Sequence, residues 1–207
     1  MTLTAVLALA QNRSVNRGGG DAVRLPELVK VMEVGEGSIV ADIGAGGGHI
    51  CGDLAKMVGS TGKVYAVDIS ERAIRDVKSR AERDNMPWLV GILSEVADPK
   101  LPAPAELDAA MFINSYHEMN EHRAILKAVY AALKPGGRLV ISESHPGSGQ
   151  NTRDEQTKRH DLAANYVEAE IKEAGFELVK IEPDWHKPTS GRGQGRWLLK
   201  AVKPLAN

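Results

Sequence analysis

The chain has one cysteine in 207 residues, Cys51, so no disulfide can form within it. A reducing compartment is the ordinary setting for such a sequence. Aromatic residues make up only 4%, and no aromatic stripe marks an interface. Neither sign of charge dominates: Lys+Arg 26 against Asp+Glu 27 leaves a net charge of -1. Without a basic field, a nucleic-acid partner is not expected. No apolar run approaches the length of a membrane span. The opening MTLTAVLALAQ carries Ala8-Leu9-Ala10, which has the shape of a signal-peptidase site, but no positive charge precedes its short apolar segment. It reads as the start of an amphipathic helix. The expectation is a cytoplasmic protein of one domain, residues 1–207, with 1–30 as an N-terminal helical cap.

What is present is an alternation. Short β-type runs at 38–43, 63–68, 88–93, 107–113 and 138–142 are separated by helical patterns at 50–58, 71–84 and 121–133. That rhythm predicts a parallel sheet with helices on both faces. Leu107 to Ile113 is almost wholly apolar, as a central strand buried on both faces must be. The rhythm then changes. Residues 145–161 are polar and read as a mobile loop, 162–174 as a helix, and 176–181 with 196–202 as two strands joined by a short connector, Lys187 to Gly195. Strands so joined should pair antiparallel. The fold expected is α/β: a Rossmann-like, doubly wound, mostly parallel sheet closed by a C-terminal antiparallel hairpin.

The densest signal is VADIGAGGGHI, residues 40–50, with four glycines between 44 and 48. A strand, a glycine turn and a helix together place backbone N–H groups and a helix N-terminus at the carboxyl edge of the sheet, where open α/β sheets bind ligands. A dinucleotide fingerprint needs G-x-G-x-x-G, yet His49 stands at its third position counting from Gly44, and Cys51 counting from Gly46. A nicotinamide-dependent reductase is therefore disfavoured. The spacing present is Asp42-x-Gly44-x-Gly46-x-Gly48.

That motif resembles motif I of the class I S-adenosylmethionine-dependent methyltransferases. The likeness extends to Asp68 closing the second strand, Ser94-Glu95-Val96 after the third, and LKPGGRLVISE at 133–143, and it covers roughly residues 23 to 202. GSTGKVYAVDIS and INSYHEMN are most similar to a bacterial group of small methyltransferases. The resemblance implies S-adenosylmethionine as cofactor. It places the methionine portion on Gly44, Ala45, Gly46 and Gly48 with Asp42 beside its ammonium, the ribose on Asp68, and the adenine by Ile69, Glu95 and Val96. Asn114 is expected as a further cofactor contact. Asp68 read purely structurally would instead cap the following helix ahead of Ser70.

Methyl transfer from a sulfonium is an in-line displacement, so alignment and exclusion of water are the main tasks. A general base is needed only for an acceptor of high pKa. The expected acceptor side carries His117 and, after the fifth strand, His145; both are candidate bases or acceptor-orienting groups. Local hydrogen bonding at the start of a helix accounts for His117 and Glu118 equally well. His117, Glu118, Glu143 and His145 have ligand chemistry but no tight spacing, so no metal is expected. Strand four does not end in Asn/Asp-Pro-Pro-aromatic, which argues against nucleobase and glutamine amino groups as acceptors. The arginines among the glycines of 187–196 are too few for phosphate-dominated binding. The reading is a methyltransferase with a small-molecule acceptor. The alternative from another class is a protein that binds the cofactor without transferring methyl.

Overall fold

Strand order explains where a ligand can sit. The computed structural model describes residues 14–15, 23–102, 105–186 and 195–205. Its main sheet contains β1 (Ile39–Ile43), β2 (Lys63–Asp68), β3 (Leu89–Leu93), β4 (Leu107–Ile113), β5 (Leu133–Ser144), β6 (Glu177–His186) and β7 (Arg196–Val202). They lie in the order β3-β2-β1-β4-β5-β7-β6. The first five run parallel, and β7 is antiparallel to both β5 and β6. The order reverses between β1 and β4, so the crevice at their carboxyl ends is the topological switch point.

The two faces follow from the strand period of two. On one face Val40, Val64, Ala66, Met111 and Val140 meet α1 (Leu25–Met32), α2 (His49–Val58) and α3 (Glu71–Arg83). On the other, Ala41, Val67, Phe112 and Ile141 meet α4 (His122–Ala132) and α6 (Ala164–Glu173). Val40, Ala109, Met111 and Phe112 have no exposed surface, as a doubly covered sheet requires. Trp197 is fully buried on β7, and its indole N–H donates to Leu162 O at 2.7 Å.

Two expectations are corrected, and a third, the cap at 1–30, falls largely outside the described residues. Within 1–30, Ser14–Val15 and Val23–Arg24 form a short antiparallel ladder, and the helix begins at Leu25. That helix buries Leu25, Leu28 and Met32 in the core beside α2 and lines no part of the cleft described below; residues 1–13, including Ala8-Leu9-Ala10, lie outside the described residues. The strand expected at 138–142 spans 133–144, because Leu133 pairs with Leu107 and the backbone of Gly136 and Gly137 bonds to Lys203. Its neighbour β6 runs on to His186, with Pro183 on the sheet edge, where its missing N–H costs no ladder bond.

The second correction concerns 145–161. That segment contains α5 (Arg153–Thr157), opened by a complete capping box between Thr152 and Glu155. Composition suggested a loop because α5 is short and polar and is fixed by its cap. Of the connector 187–195, only Gly195 is among the described residues. No helix among the described residues is long and apolar enough to cross a membrane.

Candidate active site

At the switch point lies a cavity of about 230 Å³. β1 contributes Gly44, β2 Asp68 and Ile69, the β3 loop Glu95 and Val96, and the β4 turn Ser115 and Glu118. Five residues expected to hold a cofactor therefore converge: Gly44, Asp68, Ile69, Glu95 and Val96. A larger cavity, about 440 Å³, opens at the opposite edge of the sheet, where two of its three acidic groups are in ion pairs, Asp108 with Lys134 and Glu33 with Arg138.

Each position has a local cause. Gly44 adopts φ +75, and a Cβ built on it would come within 2.5 Å of Ser115 Cβ. Glycine is thus required by the neighbouring strand as well as by the turn. Ser115 reaches over it and donates its hydroxyl to Ile43 O at 2.7 Å, tying β4 to β1. Asp68 accepts N–H bonds from Gly46 at 2.7 Å and Ser70 at 2.9 Å. These bonds orient the carboxylate, and each oxygen retains a further lone pair for a hydroxyl. Ser70 itself caps α3 through Ala73 N. Ile69 and Val96 are 59% and 57% exposed, two large apolar side chains left in solvent along the wall of the cleft. Glu95 pairs with Lys100 at 2.7 Å.

The other expected cofactor residues stand behind this surface. Asp42 is fully buried, with the Cys51 thiol 3.1 Å from its Oδ2, beneath the loop rather than at the cleft. The N–H groups of Gly44 and Ala45 both bond to Val67 O, and that of Gly48 to Ala45 O. With Gly46 N–H on Asp68, four of the loop's amide donors are used inside the protein. Gly48 caps α2 in the left-handed region, packed against Val77. Asn114 holds φ +53, a conformation that suits Asn, and is fixed by N–H to Ser142 O at 2.8 Å. It does not line the cavity, whereas its neighbour Ser115 does.

The acceptor-side residues are arranged around Glu143, which is fully buried. One of its oxygens accepts N–H bonds from Ser115, Tyr116 and His117, at 3.0, 2.7 and 3.3 Å. The other lies 2.7 Å from His117 Nδ1. Burial opposes charge on His117, but the hydrogen bond and charge of Glu143, with Glu118 and Asp161 nearby, hold its pKa above the ordinary 6.5. The His117 side chain is 1% exposed, and its Nε2 faces His160 Nδ1 at 3.3 Å. His145 stands apart, with Nε2 2.7 Å from the Pro183 carbonyl, outside the cleft.

Tyr116 is buried in an edge-to-face contact with Phe112 and donates to Glu170 at 2.8 Å; burial and that carboxylate push its pKa well up. Glu170 also receives Arg153 of α5 at 2.7 Å, which ties the 145–161 segment to α6. Sequence reasoning missed His160, Glu170 and Met119. The first two sit in regions read as loop and helix surface, where no residue pattern signals a partner distant in the chain.

Comparison with known proteins fits this geometry. Residues 40–137 match the family model described as a methyltransferase domain. The chain is 31% identical over 116 residues to the probable cobalt-precorrin-6B C(15)-methyltransferase (decarboxylating) of Saccharolobus solfataricus, covering 53% of this chain and 54% of that one. It is 27% identical over 214 residues to the arsenite methyltransferase of Halobacterium salinarum, covering 95% and 52%. The chain thus spans about half the length of these curated relatives. A crystal structure of a SAM dependent methyltransferase from Aquifex aeolicus superposes with a TM-score of 0.71 at 20% identity, covering 98% and 99%. Over residues 40–137 the chain is thus similar in sequence to methyltransferase domains, and it shares the fold of the solved S-adenosylmethionine-dependent methyltransferase.

Proposed function

We propose that the protein is an S-adenosylmethionine-dependent methyltransferase that moves a methyl group to a small-molecule acceptor by in-line displacement. The observation that carries the reading is the convergence of Gly44, Asp68, Ile69, Glu95 and Val96 on one cavity at the switch point of this family's fold. The cofactor supplies the chemistry when bound, an already electrophilic methyl on a sulfonium. The chain supplies the rest. Asp68, pre-oriented by two backbone N–H bonds, accepts the ribose hydroxyls. Ile69 and Val96 cover the faces of the adenine, which accounts for their exposure. Gly44 lets the methionine portion pass close to backbone, with Asn114 and the buried Asp42 supporting the loop from behind.

At 230 Å³ the cavity is below the ~300–1,000 Å³ usual for ligand sites. Met119, on its wall beside Gly44, is the side chain placed to move aside when the cleft fills. Acceptor chemistry falls on the Glu118 side. His117 positions that turn through Glu143 rather than meeting the cavity directly.

The test is calorimetric titration with S-adenosylhomocysteine, with NADH and NADPH in parallel. One-site binding of S-adenosylhomocysteine alone is expected, at least about tenfold weaker in Asp68→Asn, which keeps the shape but loses the charge. Binding of a nicotinamide nucleotide alone overturns the reading. Tight S-adenosylhomocysteine binding with no methyl transfer to thiol, hydroxyl or carbon-acid acceptors supports a cofactor-binding protein instead.

A further inference from the structure

Three ligand-bearing atoms meet beside the cleft. His117 Nε2, His160 Nδ1 and Glu118 Oε1 lie at 3.3, 3.7 and 3.7 Å from one another. This is the one such group of three among the described residues. A triangle with these sides has a centre about 2.1 Å from every corner, and zinc bonds to imidazole nitrogen and carboxylate oxygen span about 2.0–2.2 Å. A hydrogen bond between the two imidazoles explains the 3.3 Å contact. It leaves Glu118 Oε1 at 3.7 Å from both nitrogens, beyond hydrogen-bond range.

A second feature, independent of the triangle, is the arrangement behind His117. Its Nδ1 lies 2.7 Å from a buried carboxylate, Glu143, which is itself fixed by three backbone N–H groups. Nδ1–H donating to a carboxylate leaves Nε2 with its lone pair outward, which is the arrangement that orients metal-binding histidines. His160 is delivered from the far side by the turn after α5, in the left-handed conformation at φ +60. The tether from Arg153 to Glu170 and the capping box hold that turn in place.

We propose that His117, His160 and Glu118 bind a divalent first-row transition metal, with Zn²⁺ the best geometric match. Two nitrogens and one carboxylate oxygen form the His₂Glu set of an open site, and a fourth position remains for a water or an acceptor. Glu118 also lines the cofactor cleft, so the metal and the methyl donor share a wall. A thiol or hydroxyl acceptor in the fourth position would be held as its anion, its proton released to water. The anion then forms the new bond to carbon as the sulfonium C–S bond breaks, leaving a neutral thioether. This use rests on the methyltransferase reading; metal binding itself does not.

The experiment is a titration of chelator-treated, full-length protein with Co²⁺, followed by displacement with Zn²⁺. One Co²⁺ per chain is expected, with the visible absorption of a four-coordinate ion that Zn²⁺ abolishes. His160→Ala and Glu118→Gln should each weaken binding about tenfold or more, and His145→Ala should leave it unchanged. Both His160 and Glu118 have mostly exposed side chains, so these variants keep the fold, as circular dichroism would verify. The proposal is overturned by the absence of stoichiometric binding to the folded wild type. It is equally overturned by binding that survives His160→Ala, or that depends on His145. The failure of S-adenosylhomocysteine to bind would affect the methyltransferase reading and leave this result standing.

Discussion

Gly44 is glycine for two separable reasons, a left-handed backbone and the Ser115 side chain seated against it. Gly44→Ala meets both. It should lower stability by about 2 kcal/mol and cofactor-product affinity about tenfold, read by denaturant unfolding and calorimetry. A neutral outcome would mean that the β1–β4 contact is looser than described. Glu143 makes a contrasting case. Were it a solvent-facing acceptor residue, Glu143→Gln would leave stability alone. Buried under three N–H donors and an imidazole, it should instead cost about 2–3 kcal/mol in the same measurement. The sequence pointed to Asp68, Ile69, Glu95 and Val96 because a ligand edge lies directly after each strand. Asp42, Ala45 and Gly48 do not line the cavity, and motif spacing cannot distinguish a residue facing a ligand from one supporting the loop beneath it. His160 was invisible for a different reason. Its partners are 42 and 43 positions away, brought near by the tether from Arg153 to Glu170.

Among the elements, α1 is attached to the sheet at its last turn, where Glu33 pairs with Arg138 on β5 and with Lys200 on β7 at 2.5 Å. Hydrogen bonds from Lys200 and then Arg138 hold the Glu33 carboxyl below its ordinary 4.5. A carboxyl whose folded pKa is depressed adds stability above its unfolded value, and the gain disappears as pH falls through the folded one. Glu33 is 49% exposed, so screening limits the gain to about 1 kcal/mol or less. Glu33→Gln should therefore melt slightly lower at pH 7, and the difference from wild type should close as the pH drops below 4.5. In α5, Thr152→Ala removes one half of the capping box, at a cost of about 1 kcal/mol, visible as faster amide exchange across 153–157. The regular strands and helices were legible because burial on one face imposes a period. α5 was not, because five residues are too few to show one and a side-chain cap replaces the apolar stripe.

For the molecule as a whole, the topology accounts for both where chemistry can happen and how the parts cooperate. Reversal between β1 and β4 opens the cleft, and β7, inserted antiparallel between β5 and β6, closes the sheet. Trp197 on β7 bonds to Leu162, which in turn bonds to Ser144 at the end of β5. Trp197→Ala should cost about 3–5 kcal/mol and shift the whole unfolding curve, since hairpin and parallel strands share one core. The central claim, however, concerns the cleft. It is tested most directly by a crystal structure of the protein grown with S-adenosylhomocysteine. The account predicts the ribose hydroxyls on Asp68, the adenine between Ile69 and Val96, and the methionine portion along Gly44. Product found elsewhere on the molecule, or a cleft still closed by Met119 in crystals saturated with it, would contradict it.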